Sequence, residues 1–373
     1  MKSFLEILNQ HNWAATKATI LQKTKNDVLA ALNKSKLTVE DFKALISPAA
    51  DSFLEQMAVK SKALTQQRFG KTIQMFIPMY LSNECQNICT YCGFSMDNKI
   101  PRITLSNAQI LNEVKAIKKL GYKHILLLTG EANKLVGFNY LLNAIKLIKP
   151  HFDNVSLEVQ PLKTEEYAQL KAEGLHTVLV YQETYNKQAY KTHHTKGRKA
   201  NFEWRLATPE RLGEAGMYKI GIGALLGLAD WRTDSFMTAL HLAYLQKNYW
   251  QSKYTISFPR LRPCEGNEHS EQYINEKQLV QLICAFRLFN EDVELSLSTR
   301  ESAHFRNNVV SLGVTSMSAE SKTNPGGYAT DQTSLEQFTT DDTRPTAEIA
   351  AMIKQQGYET VWKDWDAAYQ LLK

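Results

Sequence analysis

The sequence predicts an α/β protein built on a (β/α)8 barrel of the TIM type, with a helical extension before the barrel and a further extension behind it. Three observations carry that prediction. From Thr72 onward, short β-rich runs alternate with amphipathic helical stretches, the pattern of successive βα units around a parallel sheet. The runs number eight: Ile73 to Met79, His124 to Thr129, Val155 to Val159, Thr177 to Tyr181, Ile220 to Gly223, Thr255 to Phe258, Glu294 to Ser298 and Val314 to Met317. Eight such units in roughly 250 residues match the size of a closed barrel. The expected limits are 1–70 for the helical extension, 71–320 for the barrel and 321–373 for a C-terminal extension packed on it.

The elements follow in order. Before the barrel, Leu29, Leu32, Leu37 and Phe42 recur among charges as in helices, and Ser47-Pro48 marks a break. The first helix inside the barrel shows how boundaries are written. Ser106 is its cap, Gln109 follows three residues later as in a capping box, and Ile110, Leu111, Val114, Ile117 and Leu120 form one apolar face that Gly121 ends. After residue 320 the rhythm breaks into Asn324-Pro-Gly-Gly-Tyr328, then polar and acidic residues, then a stretch holding Trp362 and Trp365.

Composition sets the outer limits. At 373 residues and 43% hydrophobic, the chain can bury a sizeable core. A net charge of +6 with scattered Lys and Arg describes a solvated surface and no nucleic-acid patch, although the excess suits a negatively charged partner. No apolar run reaches membrane-spanning length and Met1 to Gln10 lacks a signal peptide's features, so a cytoplasmic protein with no membrane partner is expected. Five cysteines, an odd number with three of them clustered, argue against a disulfide framework and for a reducing compartment.

The clustered thiols carry the chemistry. Asn83-Glu-Cys-Gln-Asn-Ile-Cys-Thr-Tyr-Cys-Gly-Phe-Ser95 places Cys85, Cys89 and Cys92 in a C-x3-C-x2-C run a few residues after the first strand, at the end of a barrel where catalysis sits. Thiolates this close on one loop can converge on an iron–sulfur cluster, and three ligands leave one iron of a cubane open for reaction. Structural zinc is the competing explanation, but such sites usually close four ligands and no fourth Cys or His lies near the loop. A simple electron carrier would need a fourth thiolate.

The run with Tyr91 as the aromatic before Cys92, placed directly after the first strand, resembles the radical S-adenosylmethionine (SAM) superfamily. The resemblance implies one 4Fe-4S cluster on the three thiolates, SAM on the fourth iron, and a 5′-deoxyadenosyl radical from one-electron cleavage. Leu128-Thr-Gly-Glu131 resembles the family's Gly-Gly-Glu segment, which receives the SAM amino group, with Thr129 where Gly is more usual. Gly130 would let the backbone come close, and Glu131 offers an acceptor to an ammonium. By the same resemblance SAM contacts extend to Tyr91, to Glu158 at the third strand end, to Gln182 and Glu183 at the fourth, to Arg205 on a following helix, and to Gly221 and Gly223, on which adenine would pack. Strand-end carboxylates also form structural ion pairs, and glycines in strands also mark tight packing.

Further along, Gln182-Glu-Thr-Tyr185, His193-His194, Gly221 to Leu228, Ser257-Phe-Pro-Arg-Leu-Arg-Pro263, Leu297-Ser-Thr-Arg-Glu301, Ser316-Met-Ser-Ala-Glu320, Pro325-Gly-Gly-Tyr328 and Leu335-Glu-Gln-Phe338 together resemble the aromatic amino-acid lyase branch, nearest its ThiH-type tyrosine lyases of thiamine thiazole synthesis. That branch removes hydrogen from the amino group of L-tyrosine and breaks Cα–Cβ to give 2-iminoacetate and p-cresol. It implies a ThiG-type thiazole synthase as product acceptor and a flavodoxin or ferredoxin as electron donor. Arg300, at the seventh strand end, is the expected guanidinium fork for the substrate carboxylate, supported by Ser298. Tyr80 matches a tyrosine that touches the substrate amino group in a related tryptophan lyase, with Ser257 and Arg260 as further candidates.

His193 and His194 read as a Lys- and Thr-rich surface turn that can also gate the site or handle the phenol. Cys284 reads as a buried structural thiol and Cys264 follows the sixth strand. A hydrogenase-maturation lyase carries a second cluster on C-terminal thiolates, and no cysteine follows Cys284 here. A lyase for another aromatic amino acid such as tryptophan, and a non-catalytic iron–sulfur scaffold, are the remaining alternatives.

Overall fold

A computed structural model describes residues 2–265, 274–330 and 336–363, so Leu335 and Trp365 lie outside the described residues. Eight parallel strands form the barrel: β1 Thr72–Ser82, β2 His124–Thr129, β3 Asn154–Glu158, β4 Leu175–Leu179, β5 Lys219–Ile222, β6 Lys253–Ser257, β7 Glu294–Leu297 and β8 Ser316–Ser318. Each pairs with the next in chain order, and β8 returns to β1 through Gln74↔Ser316, Met75↔Met317 and Phe76↔Ser318, which closes the sheet on itself. Every expected run is a strand, with ends displaced by up to two residues except in β1, which runs three residues past Met79 to Ser82. Two pairings lie outside that expectation. Glu359–Val361 adds to the start of β1, and because Gln74 pairs with both Ser316 and Val361, the two partners sit on opposite edges of the strand. Ile88–Cys89, inside the cysteine loop, pairs antiparallel with His194–Lys196.

Side-chain parity explains the site. Along β1, β2 and β3 the alternate residues Phe76, Pro78, Tyr80, Leu126, Leu128 and Glu158 face the barrel interior near its C-terminal end, while Ile77, Met79, Ile125, Leu127 and Leu157 pack outward into the main core. The helix Asn107–Lys119 has its Ser106–Gln109 capping box and lays Ile110, Val114 and Ile117 into that core.

The helices Phe4–Leu8, Trp13–Leu21, Lys25–Leu32, Val39–Leu45 and Leu54–Phe69 share the same apolar core as the barrel. Phe42 is fully buried, with its ring 4.8 Å from Phe286 and 5.2 Å from Phe289, a burial contributing ~2–3 kcal/mol. Gln281 donates to the carbonyls of Leu45 and Ser47 across that seam. At the other end, the segment after β8 runs over the barrel mouth as a strap. Tyr328 donates to the Pro78 carbonyl at 2.7 Å, and Glu113 accepts from the backbone N–H groups of Tyr328 and Ala329. Gly326, at φ +79°, makes the turn.

Candidate active site

The strand ends, the cysteine loop and the strap enclose one cavity. Cys85, Cys89 and Cys92 all line it, as do Tyr80, Tyr91, Glu131, Glu158, Glu183, Arg205, Ser257, Ser298 and Arg300 from the sequence reading. Lys199, Tyr181, Ser321, Thr323, Gln337 and Phe338 join them.

The cysteine loop is held from all sides. Gly130 donates to the Ser82 carbonyl at 2.8 Å, and a Cβ at Gly130 would lie 2.2 Å from the Glu84 carbonyl oxygen, so only glycine lets the end of β2 come this near. Gly93 is equally constrained by the strap: a Cβ there would lie 2.7 Å and 2.8 Å from the Glu336 and Gln337 carbonyl oxygens. Arg102 donates to the carbonyls of Asn83, Phe94, Ser95 and Asn98. His193 and His194 are part of this bracing. His194 bonds the Tyr91 hydroxyl at 2.7 Å through Nε2, and His193 bonds Thr90 at 2.7 Å through Nδ1. Neither histidine lines the cavity. Burial, with Lys199 adding to it, pushes His194 down to about 3, so the ring is neutral. The surface-turn expectation is thus replaced by a short strand that clamps the thiol loop.

Burial, with Cys92 and Glu131 nearby, pushes the Cys85 thiol up to about 11, and burial raises Cys89 likewise. Thiolates at Cys85 and Cys89 therefore need positive charge beside them, which a metal cluster supplies. Among the described residues no three His, Cys, Asp or Glu side chains form a set that would hold a single metal ion. Three thiols lining one cavity suit a polynuclear cluster.

Beside the thiols lies a buried charge network. Arg205 donates to Glu131 at 2.8 Å, to Glu183 at 3.3 Å and to the Tyr181 carbonyl at 2.6 Å. Lys199 donates to Glu183 at 2.7 Å and lies 5.5 Å from the Tyr91 ring centre. Asn87, within the cysteine loop, donates to the other Glu131 oxygen at 3.0 Å. Burial favours a neutral Glu183, but Lys199 and Arg205 outweigh it and hold the carboxyl below its usual range. Glu183 also sits at φ +69°, a left-handed backbone rarely adopted by a non-glycine residue, which its paired carboxylate helps to hold.

The opposite wall differs. Arg300 has its guanidinium 3.4 Å from the Phe338 ring centre and donates to the Arg260 carbonyl at 3.3 Å. No carboxylate lies within ion-pair distance of it among the described residues. Tyr181 donates to Ser257 at 3.0 Å, Ser298 accepts from the Arg300 backbone, and the Ser321 hydroxyl is buried with no hydrogen-bond partner among the described residues. Between the walls, burial, with Glu183 adding to it, pushes Glu158 up to about 7.

Four sequence-selected residues fall elsewhere. Arg260 turns its guanidinium onto Glu301 as a buried ion pair and donates to the Ile274 carbonyl, so it is not in the cavity wall. Gln182 is out of phase: Tyr181 and Glu183 face the cavity, and the residue between them faces away, buried with both amide atoms unpartnered among the described residues. At Gly221 a Cβ would meet Leu179 at 2.6 Å, and at Gly223 the Ser257 carbonyl at 2.8 Å. These glycines make room for Leu179 and Tyr181 and are not themselves in the wall. Thr129 and Gly130 do line it, Thr129 donating to Gln160 at 3.4 Å. Lys199 went unread because Lys196-Gly-Arg-Lys199 looks like surface; its spacing from His194 is the only hint. Tyr181 shares parity with Glu183 and was legible.

A closed parallel barrel with a thiol loop after its first strand defines a class, and the comparisons agree. The radical SAM superfamily profile matches residues 79–240, and that of the Biotin and Thiamin Synthesis associated domain matches residues 257–359. The chain is 51% identical over 368 residues to the 2-iminoacetate synthase of Escherichia coli (strain K12), covering 98% of each chain, and equally to that of Salmonella typhimurium (strain LT2). It superposes on the FeFe-hydrogenase maturase HydG of Carboxydothermus hydrogenoformans with a TM-score of 0.89 at 30% identity, covering 99% of this chain and 87% of that one. The chain belongs to the 2-iminoacetate synthase family within the radical SAM superfamily.

Proposed function

We propose that this protein is a carbon–carbon lyase that cleaves the Cα–Cβ bond of L-tyrosine to 2-iminoacetate and p-cresol, with 5′-deoxyadenosine and methionine formed from SAM, for the thiazole of thiamine. The observation that carries the assignment is the identity of 51% over nearly the whole of both chains. A 4Fe-4S cluster with SAM, when bound, supplies the one-electron oxidant for that cleavage. Cys85, Cys89 and Cys92 are the residues to hold the cluster. Glu131, Glu183, Arg205 and Lys199 form a paired set suited to the amino-acid end of SAM. Glu131 uses one oxygen on Arg205 and the other on Asn87, and a carboxylate still has lone pairs for an ammonium.

Arg300 is the cavity cation left without a carboxylate among the described residues, which supports its gripping the substrate carboxylate. Tyr80 and Glu158 face it from β1 and β3 and suit the amino end, while Tyr181, Ser257, Ser298 and Ser321 offer hydroxyls. The strap and cysteine loop cover part of the mouth, which limits the water that reaches a reactive intermediate. The product hydrolyses readily, so a ThiG-type thiazole synthase is its acceptor.

Electrons come from a flavodoxin or ferredoxin. The outer face of the thiol loop suits an acidic donor: Lys99, Lys134, Lys196 and Arg198 are exposed around it and have no ion-pair partner among the described residues. Reversing Lys196 and Arg198 to Glu should slow flavodoxin-driven turnover and spare dithionite-driven turnover; equal effects on both would remove this face from consideration. For the reaction itself, anaerobically reconstituted protein with SAM, reductant and L-tyrosine should release p-cresol in step with 5′-deoxyadenosine. Release of 5′-deoxyadenosine alone would keep the class and overturn the substrate.

A further inference from the structure

Gln337 joins the two working ends of the cavity. It lies on the strap, in a stretch with no periodicity to announce it. Its backbone is fixed on both sides: its N–H donates to the Thr323 carbonyl at 2.9 Å, and its carbonyl accepts from Gly93, the residue after Cys92, at 3.0 Å. Thr323 in turn donates to the Phe338 carbonyl at 3.0 Å. The side chain then reaches two groups that no other hydrogen bond joins among the described residues. Oε1 accepts from the Tyr80 hydroxyl at 2.7 Å, and Nε2 donates to Cys92 Sγ at 3.5 Å.

The chemistry fixes which end of the amide faces which partner. A thiolate has no proton to give, so the donor end must face sulfur and the carbonyl end must face the phenol. An amide is also the group that does both; a carboxylate in its place would accept from Tyr80 but repel the thiolate. Tyr80 is deeply buried with its ring edge-on to Phe94, at 5.8 Å between centres, so its hydroxyl has a fixed direction.

We propose that Gln337 is a positioning residue that makes the reducibility of the cluster depend on whether substrate is engaged at Tyr80. This rests on the reading of Cys92 as a cluster ligand and of Tyr80 as a contact to the substrate amino group. Hydrogen bonds to cluster sulfurs are among the factors that set reduction potential, and donation to an anionic sulfur favours the reduced, more negative state. A substrate N–H given to the Tyr80 oxygen completes a chain of donors running one way: substrate nitrogen, Tyr80 hydroxyl, Gln337 amide, Cys92 sulfur. Each link polarises the next and strengthens the last. Substrate binding thus moves the cluster potential upward, toward what a one-electron carrier protein can deliver, and an empty cavity holds the cluster harder to reduce. Cleavage of SAM without tyrosine is disfavoured by the same device.

The test is a potentiometric titration of the reconstituted cluster, read by electron paramagnetic resonance with dithionite as reductant, with and without L-tyrosine. In the wild type the midpoint should shift to less negative potential with tyrosine. Gln337→Glu keeps the acceptor for Tyr80 and loses the donor to sulfur; its midpoint should be more negative than wild type and should lose the tyrosine response. Tyr80→Phe removes the middle donor, so it should lose the response, with a midpoint without tyrosine between those of the wild type and Gln337→Glu. A Gln337→Glu protein with wild-type midpoint and wild-type response to tyrosine overturns the proposal, as does a wild-type cluster indifferent to tyrosine that saturates the site in a binding assay. A cluster that forms unchanged in Cys92→Ala would instead bring down the ligand assignment, and the coupling with it.

Discussion

The two walls of the cavity are built on opposite principles. The wall from β1 to β5, together with Arg205 and Lys199, is dense with charge that is already paired: Glu131 with Arg205 and Asn87, Glu183 with Arg205 and Lys199. The wall from β6 to the strap holds hydroxyls, an aromatic shelf and Arg300, whose charge meets no carboxylate at ion-pair distance among the described residues. The boundary between the two family profiles, 79–240 and 257–359, falls between these walls. The difference teaches where identity resides. A paired network holds its shape before anything binds and suits a cofactor shared across a superfamily, whereas an unpaired guanidinium among hydroxyls is specificity waiting for a complementary ligand.

The sharpest way to break the comparison is at the thiols. Replacing Cys85, Cys89 or Cys92 by Ala should abolish cluster content, measured as iron and sulfide per chain and by visible absorption, and with it all turnover. Next comes Arg205→Met, which leaves Glu131 and Glu183 buried beside each other with a partner gone. A destabilisation of ~3–5 kcal/mol is expected in denaturant melts, together with loss of SAM binding. A variant as stable as wild type would mean that the network is not the scaffold described.

Arg300→Ala probes the other wall. It should retain cluster, fold and SAM binding while kcat/KM for tyrosine falls roughly 10²-fold or more; full tyrosine cleavage would remove Arg300 from the substrate site. The smallest effect is expected at Glu158, which faces Arg300 from the first wall. Its pKa is raised by burial from the ordinary 4.5 to about 7. A raised folded-state value means that the contribution to stability is full below the unfolded value and is lost as pH climbs through the folded one. Thermal melts of the apoprotein should therefore decline between pH 4.5 and 7, and Glu158→Gln should flatten that decline. An unchanged slope would show that the carboxyl is better solvated than its surroundings imply.

Much of the barrel was written in the sequence because short β-rich runs and capped amphipathic helices are local signals. Tyr80, Glu131 and Glu158 came instead from the family resemblance, and they lie at or just after the ends of β1, β2 and β3. Gln182 shows the limit: it adjoins Glu183, but both lie beyond the end of β4, and the local backbone there, with Glu183 at φ +69°, decides which of them faces the cavity. Arg260 and Arg300 look alike as strand-end arginines, and the difference is a partner, Glu301, placed by tertiary packing. Gln337 and the His194 clamp depend on chain segments far apart in sequence meeting across the mouth, and no local pattern announces such a meeting.

The seam at β1 has a consequence for how the protein is made. The strand that leads into the thiol loop is paired on one edge by β8 and on the other, at its start, by Glu359–Val361, and the loop itself is covered by the strap near Gln337. A chain synthesised from its N-terminus therefore presents Cys85, Cys89 and Cys92 long before the residues that enclose them exist. The nascent chain thus has an interval in which iron and sulfide can be delivered to an open loop. Once the last pairings form, the strap packs against Gly93 and that loop is no longer open on every side.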